Sequence, residues 1–128
     1  MGCDIHLSVE TKDRYNAFST LIRDFDLDRN YAMFAAMANV RNYDSSDFVS
    51  EPRGLPEDMR IFDRERFLQV AEYSFSYLSA DEYKRALSIA KSNTESIQEI
   101  GIRYKALECL LDFITSNGIE ARIIFGFD

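Results

Sequence analysis

Histidine, cysteine, proline and tryptophan are scarce in this sequence, and these shortages exclude several classes of site. Among 128 residues there are one histidine, two cysteines, two prolines and no tryptophan. The spacing of Cys3, His6 and Cys109 matches no zinc motif, so we predict no metal site and expect reduced thiols in a reducing compartment. Glycine-rich phosphate-binding motifs and the G-x-S-x-G nucleophile motif are also missing. No cofactor can therefore be assigned from the sequence.

Long apolar runs and an excess of positive charge are missing as well. No run approaches the roughly 20 apolar residues of a membrane span. The start of the chain lacks the charged and apolar regions of a secretory signal, so we expect a cytoplasmic protein that does not bind a membrane. The net charge is −7 and the pI about 4.7, which disfavours direct binding to nucleic acid. The scattered acidic residues favour solubility, while docking on a basic partner stays an alternative.

What the chain does contain is enough apolar material for a core. Hydrophobic residues make up 46% and aromatic residues 13% of the sequence. This composition is typical of a folded protein, and the length is that of one domain spanning residues 1–128.

Periodicity predicts an order of strands and helices along the chain. Strict alternation predicts strands at both ends, and apolar residues at helical spacing predict helices between them. A loop is expected where both prolines and three serines cluster, and Ser79 with Glu82 forms a capping box. The predicted elements are a strand over 2–10, helices over 13–24 and from Asp28 or Asn30 to Arg41, a loop over 42–60, an ambiguous segment over 61–78, a helix over 79–91, a long helix from Asn93 or Thr94 to Asn117-Gly118, and a strand over 119–128.

These elements predict an α+β fold. The N- and C-terminal strands pair in a small sheet, and several helices cover one face of it. Two strands alone make a marginal sheet. We therefore expect a third strand within 72–78, or pairing across a homodimer.

Asp4 and His6 form the first candidate site, because alternation places them on one polar face near the start of the chain. Residues two apart on a strand lie about 6.5–7 Å apart, so Asp4 can orient the imidazole, or both can bind one metal. The alternative is a polar sheet face exposed to solvent.

Arginines and a Tyr/Ser segment are further candidates. Several guanidinium groups near a strand face can hold a phosphate or carboxylate, and Arg122 is predicted to face the side of Asp4 and His6. Ordinary surface ion pairs are the alternative. Ser74 and Ser76 are predicted to share one face of a strand, and Tyr73, Phe75 and Tyr77 the other.

Five short motifs, in order, resemble a group of uncharacterised phage and prophage proteins. They are M-G-C-D-I-H-L, R-N-Y-A-M-F-A-A-M-A-N-V-R-N, R-G-L-P-E-D, Y-S-F-S-Y-L-S and A-R-I-I-F-G-F-D. The resemblance implies a phage origin and a polar constellation made of Asp4, His6, Arg29, Asn30, Tyr31, Arg41, Arg53 and the segment from Tyr73 to Tyr77, which includes Ser74 and Ser76. The family pattern has His where Tyr73 stands and usually Trp where Tyr77 stands, which argues against a two-histidine catalytic site in this chain.

The resulting expectation is a small phage accessory protein that acts by binding. Its partner would be a host protein or a small anionic, nucleotide-like ligand, in counter-defence or host takeover. The alternatives are a metal-assisted or acid–base enzyme that uses Asp4 and His6, and a phage structural or assembly component whose long helix is an oligomer interface.

Overall fold

A four-stranded antiparallel sheet with four helices forms the protein, as the α+β prediction requires. The computed structural model describes residues 2–93 and 100–128. The elements run β1 (Ile5–Lys12), β2 (Phe18–Ile22), α1 (Tyr31–Ala38), α2 (Ile61–Val70), β3 (Tyr73–Ser79), α3 (Ala80–Asn93), α4 (Ile102–Ser116) and β4 (Ala121–Phe127). The strand order is β2-β1-β4-β3, so the two terminal strands pair at the centre of the sheet.

The main core lies between one face of the sheet and helices α1, α3 and α4. Leu7, Val9, Ile123, Phe125 and Phe127 point into it from the central strands and are almost fully buried. Aromatic rings add edge-on contacts, with the ring centroids of Phe34 and Phe127 5.0 Å apart. The prediction that helices cover this face is confirmed.

The second face of the sheet is also covered, by α2 and the segment before it. Met59, Phe67 and Ala71 pack with Ile124 from this side. Ser8 and Glu10 are therefore buried, so the alternative of a solvent-exposed polar face does not hold for these two residues. The ambiguous segment 61–78 contains both a helix and a strand, and β3 is the expected third strand.

The helix predicted over 13–24 is wrong, because these residues form a turn and β2. The Asp13 carboxylate accepts hydrogen bonds from the backbone N–H groups of Tyr15 and Ala17, and Asn16 has a φ of 68°. These contacts reverse the chain. Residues 18–22 then pair antiparallel with β1, which suits their content of β-branched side chains.

The predicted helix starts and ends are mostly confirmed. Asn30 accepts a hydrogen bond from the Met33 N–H at the start of α1, but α1 ends at Ala38, three residues before Arg41. Ser79 and Glu82 form the capping box of α3. The long helix was predicted to start at Asn93 or Thr94, but α4 begins after Gly101. Asn93 belongs to α3, and Thr94 lies outside the described residues.

The loop prediction for residues 42–60 is confirmed, since no helix or strand occurs there. Across residues 2–93 and 100–128, no helix has both the length and the hydropathy that a membrane span needs.

Candidate functional site

The predicted site residues lie in three separate places rather than in one constellation. Tyr31, Arg41 and Tyr73 meet around Cys3, with Arg29, Asn30 and Asp4 beside them. His6 lines a cleft near Asp128. Arg53, Tyr77 and Arg122 line a groove on the second face of the sheet. Ser74 and Ser76 lie on β3, the strand that connects the first place with the third.

The tyrosine–arginine cluster, made of Cys3, Tyr31, Arg41, Tyr43 and Tyr73, lies where the chain enters β1. The Cys3 N–H donates to the Tyr31 hydroxyl at 3.1 Å, and the Tyr73 hydroxyl donates to Cys3 Sγ at 3.0 Å. The Arg41 guanidinium lies 5.7 Å from the centre of the Tyr31 ring and donates to the Tyr43 hydroxyl at 2.9 Å. Three tyrosines from three parts of the chain therefore surround one guanidinium group.

Local backbone geometry places Arg41 in this cluster. Asn39 ends α1 in the left-handed conformation with a φ of 57°, and Arg41 follows with a φ of 55°. Side chains with a Cβ adopt this region at some energetic cost, and such outliers are concentrated at functional sites. The two reversals turn the chain so that the Arg41 side chain lies over Tyr31, the first residue of α1.

No carboxylate of the described residues forms a salt bridge with Arg41. Among residues 2–93 and 100–128, Arg41 forms no salt bridge, and its partners are tyrosine hydroxyls and a ring face. The hydroxyl of Tyr43 raises the pKa of Arg41 above its usual value, so the group stays charged at any physiological pH. The hydrogen bond to Cys3 raises the pKa of Tyr73, which keeps that phenol protonated. The cluster is a half-buried positive site in which the direct partners of the guanidinium are neutral side chains.

A small pocket opens beside this guanidinium. Its volume is about 110 Å³, and it is lined by Tyr31, Ala32, Ala35, Arg41, Asn42, Tyr43, Asp44, Ser46 and Asn93. The Asn42 side chain is held by Asn39 and by the backbone of Ser46, which fixes the loop that forms one wall. The pocket therefore has a rigid polar wall opposite α1.

Arg29 and Asp4 neutralise each other next to the cluster. Arg29 Nε and Nη2 donate to the two oxygens of Asp4 at 2.6 and 3.2 Å. This pairing lowers the pKa of Asp4 and raises that of Arg29. Asp4 therefore does not orient His6 as predicted, and Arg29 is less available to an anion than Arg41.

The histidine cleft brings His6 together with acidic residues. His6 Nε2 lies 3.1 Å from Asp128 Oδ2, at an angle that does not form a hydrogen bond. The cleft has a volume of about 560 Å³ and is lined by Asp4, Ile5, His6, Leu7, Asp24, Phe25, Asp26, Leu27 and Val70. In residues 2–93 and 100–128, no group of three or more histidine, cysteine or acidic side chains has the geometry to hold a metal ion.

The arginine groove contains two guanidinium groups that are already paired. Arg53 donates to both oxygens of Glu82 at 2.8 and 2.5 Å and lies over the Tyr77 ring. Arg122 donates to Glu10 at 2.8 Å and to Asp58 at 2.8 Å. Arg122 is on the same face of the sheet as His6, as predicted, but its register partner is Glu10. An anion in this groove would have to displace carboxylates.

The predicted faces of β3 are interrupted by a bulge. The register against β4 shifts between Tyr73 and Ser76, and Ser74 has a φ of 52°. Tyr73 therefore contacts Cys3 on the helix side, while Phe75 and Tyr77 pack on the second face. The prediction that Tyr73, Phe75 and Tyr77 share one face is wrong for Tyr73. Ser76 accepts a hydrogen bond from the Arg53 N–H, which is a structural role.

Sequence reasoning missed Tyr43, Glu10, Asp58, Glu82 and Asp128 as partners of the predicted residues. Tyr43 was overlooked because it lies in an irregular loop, where no periodicity indicates direction. The sequence could have indicated Glu10, because Glu10 lies directly opposite Arg122 when the two terminal strands pair. Opposite charges at such a position form ion pairs.

Comparison of the chain with known protein families, curated proteins and solved structures finds no match. The resemblance to phage and prophage proteins stays a prediction from the five motifs.

Proposed function

We propose that the protein binds a small anionic ligand through a phosphate or carboxylate group at the tyrosine–arginine cluster. The observation that supports this most is the half-buried Arg41, whose charge meets hydroxyls and a ring face and no carboxylate of the described residues. Guanidinium groups bind phosphate and carboxylate oxygens through paired, charge-assisted hydrogen bonds. An incoming anion would supply the countercharge that Arg41 lacks.

A nucleotide is the ligand class that the surroundings favour. The pocket of about 110 Å³ accommodates only the anionic group, so the rest of the ligand would lie outside it. Tyr43 stands next to Arg41 and is 72% exposed, which leaves its ring free to stack on a base. In the predicted phage setting, the ligand would come from the cytoplasm of the infected cell.

Thermal unfolding in the presence of a ligand series tests this proposal. We expect inorganic phosphate and nucleoside monophosphates to raise the Tm, and uncharged nucleosides to leave it unchanged, because ligand binding to the native state stabilises it. Arg41→Ala should weaken binding about 10- to 100-fold, the range for loss of a charge-assisted contact. Arg85→Ala is the matched control, since Arg85 lies exposed on α3, away from the pocket.

Two outcomes would contradict small-ligand binding at this cluster. One is a Tm that no phosphate-bearing compound changes. The other is equal weakening by Arg41→Ala and Arg85→Ala, which would indicate general charge attraction. Capture of a specific bacterial protein by the wild type, lost in Arg41→Ala, would assign the cluster to the host-protein partner instead.

A second candidate function is general-base catalysis by His6. The observation that favours it is the 3.1 Å approach of His6 Nε2 to Asp128 Oδ2 at the edge of a cleft. Turnover of phosphate or carboxylate esters that His6→Gln abolishes and Arg41→Ala preserves would support it. Absence of turnover across an ester panel would reject it.

A further inference from the structure

Helix α4 carries an exposed apolar stripe on the side that faces away from the core. Ile102, Ala106, Cys109 and Phe113 follow one another at spacings of four, three and four residues, and all are exposed. Ile102 is 80% and Phe113 69% exposed. The buried side of α4 uses other residues, namely Tyr104, Leu107, Leu111 and Ile114. The helix is therefore apolar on two sides.

The spacing of the stripe is that of a helix–helix seam. Apolar residues that alternate between four and three positions apart line up along one helix and fit the seam of a second helix. From Ile102 to Phe113 the stripe spans about 16 Å, which is three turns. The small residues at its middle, Ala106 and Cys109, allow close approach of a second helix.

The charges beside the stripe are self-complementary, because two copies of α4 in antiparallel orientation bring opposite charges together. Arg103 and Lys105 lie beside its N-terminal half, and Asp112 lies beside its C-terminal half. In an antiparallel pair centred between Ala106 and Cys109, Ile102 meets Phe113 of the second copy, and Lys105 approaches Asp112 of the second copy. A parallel pair would instead place like charges side by side.

Within the single chain Arg103 is paired with Asp26, while the ion pairs leave Lys105 and one oxygen of Asp112 available. Lys105 is exposed and forms no salt bridge with any residue in 2–93 or 100–128. Asp112 accepts from Lys84 at 2.8 Å through one oxygen, and both side chains are about half exposed. The second oxygen of Asp112 can accept from another lysine.

From the stripe and its flanking charges we propose that α4 is the contact surface of an antiparallel homodimer. The occupant is a second copy of this chain because the charge pattern is self-complementary. The net charge of −7 opposes association of two copies in general, so the local balance of charges along α4 matters. The interface is independent of the tyrosine–arginine cluster.

Sedimentation of the reduced protein over a roughly hundredfold concentration series measures the association. We expect a reversible monomer–dimer equilibrium, weak because one helix face is small by the standard of stable interfaces. Ile102→Glu should weaken it at least tenfold. Ile61→Glu is the matched control, because Ile61 on α2 is 75% exposed and should leave the equilibrium unchanged.

A charge exchange tests the antiparallel orientation. Lys105→Glu and Asp112→Lys should each weaken the dimer, and the double variant should restore it, since the pair is re-formed with reversed signs. Circular dichroism checks that each variant keeps its helix content. A wild type that stays monomeric throughout, an equal effect of Ile102→Glu and Ile61→Glu, or no restoration in the double variant would overturn the proposal.

Discussion

Arg41 combines an unfavourable backbone conformation with the unpaired charge of the cluster. Its φ of 55° belongs to the region that glycine adopts freely and that a residue with a Cβ adopts at a cost. The proposed anion contact and the local strain therefore lie in the same residue. Selection for stability alone would favour glycine at this position.

Arg41→Gly should therefore separate stability from binding. We expect the free energy of unfolding to stay equal or rise by up to about 1 kcal/mol, while binding of phosphate-bearing ligands is lost. Denaturant titration and calorimetry measure the two effects. Ser45→Gly relieves a similar φ of 50° in the same loop, and it should stabilise the protein without loss of binding. A binding-competent Arg41→Gly variant would disprove the role of the guanidinium.

Glu10 and Arg122 form a buried ion pair across the two central strands. Arg122 Nη2 and Nε lie 2.7 and 2.8 Å from Glu10 Oε1, while Glu10 Oε2 has no hydrogen-bond partner among the described residues. The Arg122 guanidinium also stacks on Phe18 at 3.7 Å from the ring centre. Burial raises the pKa of Glu10, and Arg122 partly opposes this effect.

Arg122→Met should leave a buried carboxylate without its partner and cost about 3–5 kcal/mol at pH 7. Without Arg122 the pKa of Glu10 rises further, so the folded variant binds a proton more tightly than its unfolded chain. The difference in free energy of unfolding between the wild type and Arg122→Met should therefore become smaller as the pH falls from 7 towards 5. Urea unfolding at several pH values tests this. The variant Glu10→Gln/Arg122→Met should lose that pH dependence, and a deficit that is constant with pH in the single variant would contradict the explanation.

At the scale of elements, Glu82 joins the start of α3 to the loop before α2. Its carboxylate accepts from the Ser79 N–H as part of the capping box and from both terminal nitrogens of Arg53. The Arg53 guanidinium is the main reason why the pKa of Glu82 is lowered to about 2. One side chain thus fixes a helix start and a loop together.

Glu82→Gln should lower the free energy of unfolding at pH 7 by about 2 kcal/mol, a value reduced for partial solvent exposure. Because the folded pKa lies below the unfolded value of 4.5, the contribution is present above pH 4.5 and is lost as the pH falls towards about 2. Wild type and variant should therefore converge in acid. Glu65→Gln, on the exposed side of α2, should match the wild type throughout. A pH-independent difference would exclude the ion pair as the cause.

β4 packs closely against Ala71 and Phe75 on the second face of the sheet because Gly126 has no side chain. A Cβ there would lie 2.9 Å from the Ala71 Cβ and 2.9 Å from the Phe75 ring. Gly126→Ala should cost about 1–3 kcal/mol by overpacking, measured by thermal unfolding. Ala71→Gly removes one of the two contacts, so the double variant should recover part of the loss. No recovery would show that the strain lies elsewhere.

Elements marked by regular apolar periodicity or by a capping box were predictable, and the turn at Asp13 and the bulge at Ser74 were not. Alternation indicated β1 and β4, and the capping box indicated α3, because each signal reflects a single local rule. Residues 13–24 also show helical spacing, but the Asp13 turn overrides it, and pairing with β1 decides the outcome. The bulge at Ser74 moves Tyr73 to the opposite face, which no alternation rule anticipates.

At the scale of the whole molecule, the candidate site required tertiary structure to be recognised. The motifs point to Arg41, Tyr31 and Tyr73 but do not indicate that Cys3 joins them, because the sequence predicts only a reduced thiol at Cys3. Arg53 and Arg122 are candidates on the same grounds, yet the fold places them in a different groove, where each is paired with carboxylates. The sequence alone does not show which arginines are already paired, because their carboxylate partners are distant along the chain.

The central position of β4 has a consequence for how the protein is made. This strand lies between β1 and β3 and supplies Ile123, Phe125 and Phe127 to the core, yet it follows all other elements along the chain. During translation, β1 and β3 are synthesised before β4, the strand that joins them in the sheet. The sheet can close only after β4 has left the ribosome, so assembly of the core begins later than the synthesis of β1, β2 and β3.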